Sequence, residues 1–229
     1  MLPLSDHNPR RTVPVVNYLL VAVNVVMFLW EVQLGADIEP VLSHVAFIPA
    51  RFWHAHAVVP SLFSALVSMF LHGGWLHLGG NMLYLWIFGD NIEDRLGHFR
   101  YLIFYLLCGF AATFAHAVVN PGSTVPSIGA SGAIAGVLGA YILLFPRARV
   151  TTLIPIFIFI PVRELPAIFV LGIWFILQLF IGVESLGVSP ASGGVAYFAH
   201  IGGFVTGMVL IALMGGFRRS PSRVSYYDN

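Results

Sequence analysis

The chain has 229 residues, of which 58% are hydrophobic and only 9% are charged. Soluble domains carry about 25% charged residues, so this composition excludes an ordinary soluble domain and predicts a membrane protein. The net charge of +1 lacks the basic excess of nucleic-acid-binding proteins, and a nucleic-acid partner is not expected.

The chain opens with a polar segment, 1–12, which we expect to be a disordered cytoplasmic tail. The apolar run that follows is long enough to stay in the membrane, so it does not resemble a cleavable signal peptide. A membrane span needs about 20 apolar residues, and lipid requires it to be a helix. Six candidate spans follow in chain order: 13–34, 75–90, 99–119, 131–145, 165–182 and 197–217.

The basic residues, all of them arginine, test this span count. Six spans place both termini on one side of the membrane, and ten of the eleven arginines then fall on that side. Only Arg51 falls opposite. Because basic residues concentrate in cytoplasmic loops, the termini are predicted to be cytoplasmic. We further expect an integral, multi-pass protein of a prokaryotic plasma membrane.

Two apolar segments are not read as spans. Residues 35–74 are broken by prolines and histidines, and we interpret them as a long, partly embedded loop between the first two spans. Residues 151–161 are too short to cross, and we expect a hairpin at the cytoplasmic face. The predicted organisation is a tail (1–12), one transmembrane domain (13–217) and a second disordered tail (218–229).

Four polar side chains on three spans are predicted to lie at a similar depth. At 1.5 Å per residue, Ser131 lies about 24 Å from the cytoplasmic end of its span, His200 about 27 Å and Asn81 about 21 Å. His77 lies one turn further out than Asn81 on the same helix face. Polar groups at such depth usually face a protein interior or a water-filled cavity.

These side chains have an obvious chemical use. A neutral imidazole can accept the proton of a serine hydroxyl as its oxygen attacks a carbonyl. The unpaired N–H groups at the start of the fourth span, with His77 and Asn81, could bind a developing oxyanion. The alternative for Ser131 is a hydrogen bond to a carbonyl one turn back, and for His200 an interhelical hydrogen bond.

Glycines predict close packing of the fourth and sixth spans. Gly203 and Gly207 form a GxxxG face that also carries His200. The fourth span has a similar bare stripe at Gly132, Gly136 and Gly139. Two such faces let helix backbones approach closely, which would bring His200 within reach of Ser131.

Four motifs occur together in a fixed order: "HGGWLHLGGNMLYLW" (72–86), "EDRLG" (93–97), "GASG" (129–132) and "AHIGG" (199–203). Together they resemble the rhomboid family of intramembrane serine proteases, over roughly residues 14–216. The resemblance implies an all-α membrane protein, a six-helix rhomboid bundle. It also implies an endopeptidase that cuts transmembrane proteins within or next to their spans. We expect no cofactor and no metal.

The resemblance also implies roles for individual residues. Ser131 is then the nucleophile and His200 the general base, a dyad without an aspartate. His77 and Asn81 take the oxyanion positions. The remaining motif residues are expected to be structural: His72, Gly129, Gly132, Gly203, Gly207, Glu93 and Arg95, the last two tying helices together.

The chain departs from the family pattern at one position near the dyad. Many relatives have a tyrosine four residues after the serine, stacked on the histidine, where this chain has Ala135. Tyr197 or Phe204 is the expected replacement. Substrate is expected to pass the fifth span and the loop 184–196, whose glycines and serines suit a movable cap.

Other functions remain open from the sequence. An inactive relative that binds transmembrane clients would be expected to lack the serine or the histidine, and both are present. A transporter or channel would predict inverted repeats or buried charges along a path, and neither is found. A zinc site at His72 and His77 is disfavoured, because a spacing of five does not put both on one helical face. The oligomeric state is not predicted.

Overall fold

The computed structural model describes residues 1–54, 58–154, 161–186 and 195–217. The expected tail 218–229 and most of the expected cap, 187–194, lie outside the described residues. The helices are α1 (Val15–Leu34), α2 (Ile38–Val45), α3 (Pro49–His54), α4 (Val58–Ser68), α5 (Trp75–Leu96), α6 (His98–Val119), α7 (Ser131–Leu144), α8 (Ala167–Ser185) and α9 (Tyr197–Leu213). The strands are β1 (Leu2–Asp6), β2 (Arg149–Leu153) and β3 (Val162–Pro166).

The architecture is the expected helical membrane bundle, and each predicted span corresponds to one helix. Among the described residues, three helical segments are long and apolar enough to cross a membrane: 15–45, α6 and α8. The segments α7 and α9 are apolar but shorter. The helix α5 continues to Leu96, beyond the predicted span end at 90. The prediction stopped short because the last turns of the helix carry buried polar residues and no longer form an apolar run. The count of six spans stays a prediction.

The N-terminal segment is not the disordered tail that we expected. Strand β1 pairs antiparallel with β2, which pairs antiparallel with β3, so the sheet order is β1-β2-β3. After the strand, Asp94 near the end of α5 accepts hydrogen bonds from the backbone N–H groups of Arg11 and Thr12 and from the Thr12 hydroxyl, at 2.7–3.1 Å. Residues 2–12 are therefore part of the folded domain.

The expected hairpin at 151–161 is present as the β2–β3 pair. Its register joins Leu153 to Val162 and Arg149 to Pro166, while residues 155–160 lie outside the described residues. The sheet lies at the end of the bundle where α5 and α7 finish. Arg10, Arg95 and Arg147 also lie there, and we call this the arginine-rich end.

Helices α7 and α9 form the tightest seam in the bundle, at the predicted glycine stripes. A Cβ atom on Gly203 would lie 2.0 Å from the carbonyl oxygen of Gly132, and one on Gly207 would lie 1.9 Å from that of Gly136. Atoms cannot approach so closely, so only glycine allows this backbone contact. The α7–α9 seam fixes the first turns of both helices next to each other.

The loop between α1 and α5 folds into the short helices α2, α3 and α4. Its end is fastened to the segment that precedes α7: Gly129 N–H donates to the Ser68 carbonyl and Ser127 N–H to the Phe47 carbonyl, both at 2.8 Å. The Ser68 hydroxyl in turn accepts the Phe47 N–H at 2.7 Å. These bonds hold the segment just before α7 in place.

Candidate active site

Ser131 is the first residue of α7, and the preceding residue, Ala130, is in a turn. Gly129, two residues earlier, has φ +125°, a conformation that favours glycine. The first N–H groups of a helix have no acceptor within it, so α7 begins with backbone donors beside Ser131. The serine borders a small cavity, lined mainly by small side chains that include Ala112, Thr113 and Ala199.

The structure brings Ser131 and His200 together. His200 lies in the first turn of α9, is 9% exposed, and has its Nε2 atom 2.8 Å from Ser131 Oγ. Because Gly132 and Gly203 let the two backbones touch just below, this distance follows from the seam. The hydroxyl can donate to Nε2, which is the arrangement a general base needs.

The other ring nitrogen of His200 has a partner that the sequence interpretation missed. Nδ1 lies 2.7 Å from Oε1 of Gln178, which comes from α8. Gln178 interrupts the apolar run of α8. A polar side chain inside a membrane span is energetically unfavourable and usually has a role, so this interruption could have identified Gln178 from the sequence.

Aromatic rings enclose His200 in place of the tyrosine that Ala135 replaces. The ring of Trp174, in α8, is tilted by 35° from the plane of the His200 ring, and the two ring centroids are 5.8 Å apart. The expected Tyr197 meets His200 edge-on at 6.5 Å. Phe204, the other expected residue, packs instead against Trp174 and Phe175.

His77 lies beside the backbone of Gly129, two residues before Ser131. A Cβ atom on Gly129 would lie 2.8 Å from both Nε2 and Cε1 of His77 and 3.6 Å from Ser131 Oγ. The bare backbone of Gly129 is thus what lets the imidazole approach the serine. His77 Nδ1 accepts the N–H of Gly73 at 3.3 Å, so the neutral ring carries its proton on Nε2, the nitrogen beside Gly129.

Asn81 is buried one turn from His77, and its amide donates to His72 Nε2 at 3.0 Å. The backbone N–H of His72 is 3.1 Å from both carboxylate oxygens of Glu31, in α1. Glu31, 4% exposed, is a second polar residue that sequence reasoning missed, although an acid inside a predicted span was a visible signal. The arrangement holds Asn81 in place and leaves its second amide hydrogen without a partner among the described residues.

Glu93 and Arg95 are far from the serine, at the arginine-rich end. The buried Glu93 carboxylate accepts the N–H groups of Val16 and Asn17 at 2.9 and 2.7 Å, and it also bonds the ring of His98. It therefore caps the start of α1 and joins it to α5. The Arg95 guanidinium lies 5.4 Å from the ring of Phe145. Both contacts join helices, and neither reaches the site.

His72 and His77, the pair weighed for a zinc site, lie close to each other. His72 and His77 have ring centroids 5.1 Å apart, and each already uses a ring nitrogen as a hydrogen-bond acceptor. In the described part of the chain, no three His, Cys, Asp or Glu side chains are grouped so as to hold a metal ion.

Comparison with known proteins decides the family. The sequence model described as the Rhomboid domain matches residues 59–217. The chain belongs to the rhomboid family. Similar proteins include Rhomboid protein 1, mitochondrial, of Saccharomyces cerevisiae, 29% identical over 84% of this chain and 51% of that protein. Rhomboid protease GluP of Bacillus subtilis is 30% identical over 88% of this chain and 35% of that protein.

A third relative, Rhomboid-like protein 11, chloroplastic, of Arabidopsis thaliana, is 28% identical over 69% of this chain and 54% of that protein. The rhomboid chain described here thus spans about a third to a half of the length of these relatives. It is a membrane protein of a family that includes a named protease. Since the relatives are mitochondrial, chloroplastic and bacterial, they do not support the expected assignment to a prokaryotic plasma membrane.

Proposed function

We propose that this rhomboid is an intramembrane serine endopeptidase that hydrolyses peptide bonds within or next to the spans of other membrane proteins. The observation that carries the proposal is the 2.8 Å contact between Ser131 Oγ and His200 Nε2. A hydroxyl and an imidazole from separate helices meet at the start of both helices, beside a cavity. A purely structural serine would more often bond a carbonyl in its own helix.

The proposed reaction uses the two side chains in turn. Ser131 Oγ attacks the carbonyl carbon of the scissile bond, and its proton passes to His200 Nε2. The tetrahedral intermediate collapses, and the leaving amine takes that proton from His200. A water molecule then attacks the acyl-enzyme with His200 again acting as base, which releases the acid product and restores the serine.

The oxyanion of each intermediate needs hydrogen-bond donors near Ser131. The proposed donors are the N–H groups of the first turn of α7, Nε2–H of His77 and the second amide hydrogen of Asn81. Each is held by contacts that do not consume the donor, which supports their proposed role. Removal of one such donor in a hydrolase typically costs about 2.7–4 kcal/mol of barrier.

The proposed substrates are transmembrane proteins with small residues at the scissile bond. The small cavity beside Ser131 supports this choice, because all of its lining residues except Met69 and Ile128 are glycine, alanine, serine or threonine. We also propose that the arginine-rich end, and with it both termini, faces the cytoplasmic side, because basic residues favour that side of a membrane.

The test is cleavage of a panel of single-pass membrane proteins by the detergent-solubilised full chain. Ser131→Ala should abolish cleavage, whereas Ser127→Ala, a matched change four residues earlier on the same cavity, should preserve most of it. Equal cleavage by wild type and Ser131→Ala would remove the dyad from the reaction. Substrate binding without cleavage by the wild type would identify a client-binding relative instead.

A further inference from the structure

The side chain of Gln178 makes the second contact of the His200 ring. We infer, resting on the proposed function, that Gln178 is a positioning residue that keeps the His200 proton on Nδ1 and so leaves Nε2 free to accept the proton of Ser131. The observation is the 2.7 Å contact between Gln178 Oε1 and His200 Nδ1, opposite the 2.8 Å contact to Ser131.

The tautomer argument depends on which atom of the amide faces the ring. An amide oxygen is only an acceptor, so a hydrogen bond to it requires the ring proton on Nδ1. Nε2 then carries a lone pair, directed at the Ser131 hydroxyl. The opposite tautomer would set the Gln178 oxygen against a lone pair and leave the serine proton without an acceptor. Loss of the correct tautomer is among the larger penalties known in serine hydrolases.

The same bond also fixes the plane of the ring. His200 is bonded at its two nitrogens by side chains from two different helices, α7 and α8, while its own backbone is in α9. Trp174, one turn before Gln178 on α8, packs over the ring at 5.8 Å. Helix α8 therefore supplies the orientation that an aspartate gives in a triad, and no carboxylate contacts His200 within the described residues.

Position in the fold makes Gln178 a poor candidate for a purely structural residue. Helix α8 is the least buried of the long apolar helices, and the residues next to Gln178, Leu177 and Leu179, are exposed on its outer face. An apolar side chain at 178 would suit such a helix better. The polar side chain is half-buried and its recorded bond is to the histidine.

The experiment measures the rate at which a fluorophosphonate labels the full chain in detergent, as a function of pH. In this reaction Ser131 Oγ bonds to phosphorus, fluoride leaves, and the hydroxyl proton passes to His200. The variants are Gln178→Met, which keeps the size but loses the acceptor, and Gln178→Glu, which keeps an acceptor. Leu177→Met is the matched control on the exposed face. Tautomers are read separately from the ¹⁵N shifts of His200.

Gln178→Met should slow labelling by about tenfold to a hundredfold and shift the ¹⁵N spectrum away from the Nδ1–H form, while Leu177→Met does neither. Gln178→Glu should keep the Nδ1–H form and move the acid limb of the rate profile to higher pH, because a carboxylate stabilises the charged ring. His77 and His116, the other titratable groups that act electrostatically on His200, are unchanged in these variants.

The inference would be overturned if Gln178→Met showed the same labelling rate, pH profile and His200 ¹⁵N spectrum as the wild type. Should that variant not fold, an unchanged acid limb in Gln178→Glu would overturn it equally. The spectrum also separates this inference from the proposed function. A wild type that shows the Nδ1–H form but is never labelled would contradict the serine-hydrolase function and leave the positioning intact.

Discussion

The two ends of this rhomboid bundle use buried polar groups in opposite ways. At the arginine-rich end, the carboxylates of Glu93 and Asp94 each accept three hydrogen bonds, and Asp90 pairs with Arg10 at 2.8 Å. At the end of the bundle that holds Ser131, which we call the serine end, Nε2–H of His77 and the second amide hydrogen of Asn81 have no partner among the described residues. The accepted bonds at the arginine-rich end serve stability, although Oδ1 of Asp90 and Oδ1 of Asn91 are buried there without a partner among the described residues. Donors that are left unused near a nucleophile can instead bind a ligand or a transition state.

The α7–α9 seam joins the two ends, so breaking it should have the largest effect. Gly203→Val places a side chain 2.0 Å from the Gly132 carbonyl and must separate the backbones. We expect cleavage to fall by at least about a thousandfold and stability by roughly 1–3 kcal/mol, the usual cost of overpacking. The readouts are substrate cleavage and thermal unfolding in detergent.

Gly172→Val is the matched control, because a Cβ atom at this glycine of α8 meets nothing within 4 Å. It should leave both quantities near the wild-type value. If the two substitutions reduced activity and stability by similar amounts, the argument that the α7–α9 seam requires glycine would be contradicted.

Substitutions at the serine end should lower the catalytic rate and leave the stability unchanged. His77→Ala removes one donor beside Ser131, and we expect kcat to fall by about 10²–10³-fold with the unfolding temperature unchanged. Steady-state kinetics on a single-pass substrate, with a melting curve on the same preparation, checks both halves. A loss of activity that only tracks a loss of folded protein would make His77 structural.

Substitutions at the arginine-rich end should lower the stability and leave kcat nearly unchanged. Glu93→Gln keeps the shape but loses a charged acceptor of two backbone N–H groups of α1, so we expect about 1–3 kcal/mol of stability to be lost. The kcat of the protein that remains folded should stay within about twofold of wild type. A selective fall in kcat with unchanged stability would erase the distinction between the two ends.

The smallest effect concerns pH at the N-terminal strand. Burial raises the pKa of Asp6 from its ordinary 3.8 to about 6, while the hydroxyl of Tyr141 donates a hydrogen bond to it. A raised pKa means that the folded state holds the proton more tightly than the unfolded state. The contribution of Asp6 to stability is therefore complete below about pH 4 and is lost as pH rises through about 6.

Asp6→Asn should flatten this part of the stability curve. Melting temperatures measured between pH 4 and 7, for the variant and the wild type, test the sign. A wild type that gains stability from Asp6 on the alkaline side would contradict the burial of this carboxyl group.

Sequence spacing could predict the meeting of Ser131 and His200 because two separate signals agree. Helical rise gives the depth of each side chain, and the glycine stripes give the faces that touch. For Gln178 the sequence did not indicate which face of α8 contacts the neighbouring helices. A polar residue in an apolar helix was visible, but the rotation of α8 that turns this residue toward His200 was not. Strand β1 was missed because its partner lies some 145 residues away, and five residues of a polar segment show no useful periodicity.

The most direct test of the account is the site of covalent modification by a fluorophosphonate. Mass spectrometry of the labelled wild-type chain should find the phosphonyl group on Ser131 alone, and His200→Gln should reduce its formation to background. An adduct on another residue, or undiminished labelling of Ser131 without His200, would contradict the proposal that these two side chains act together.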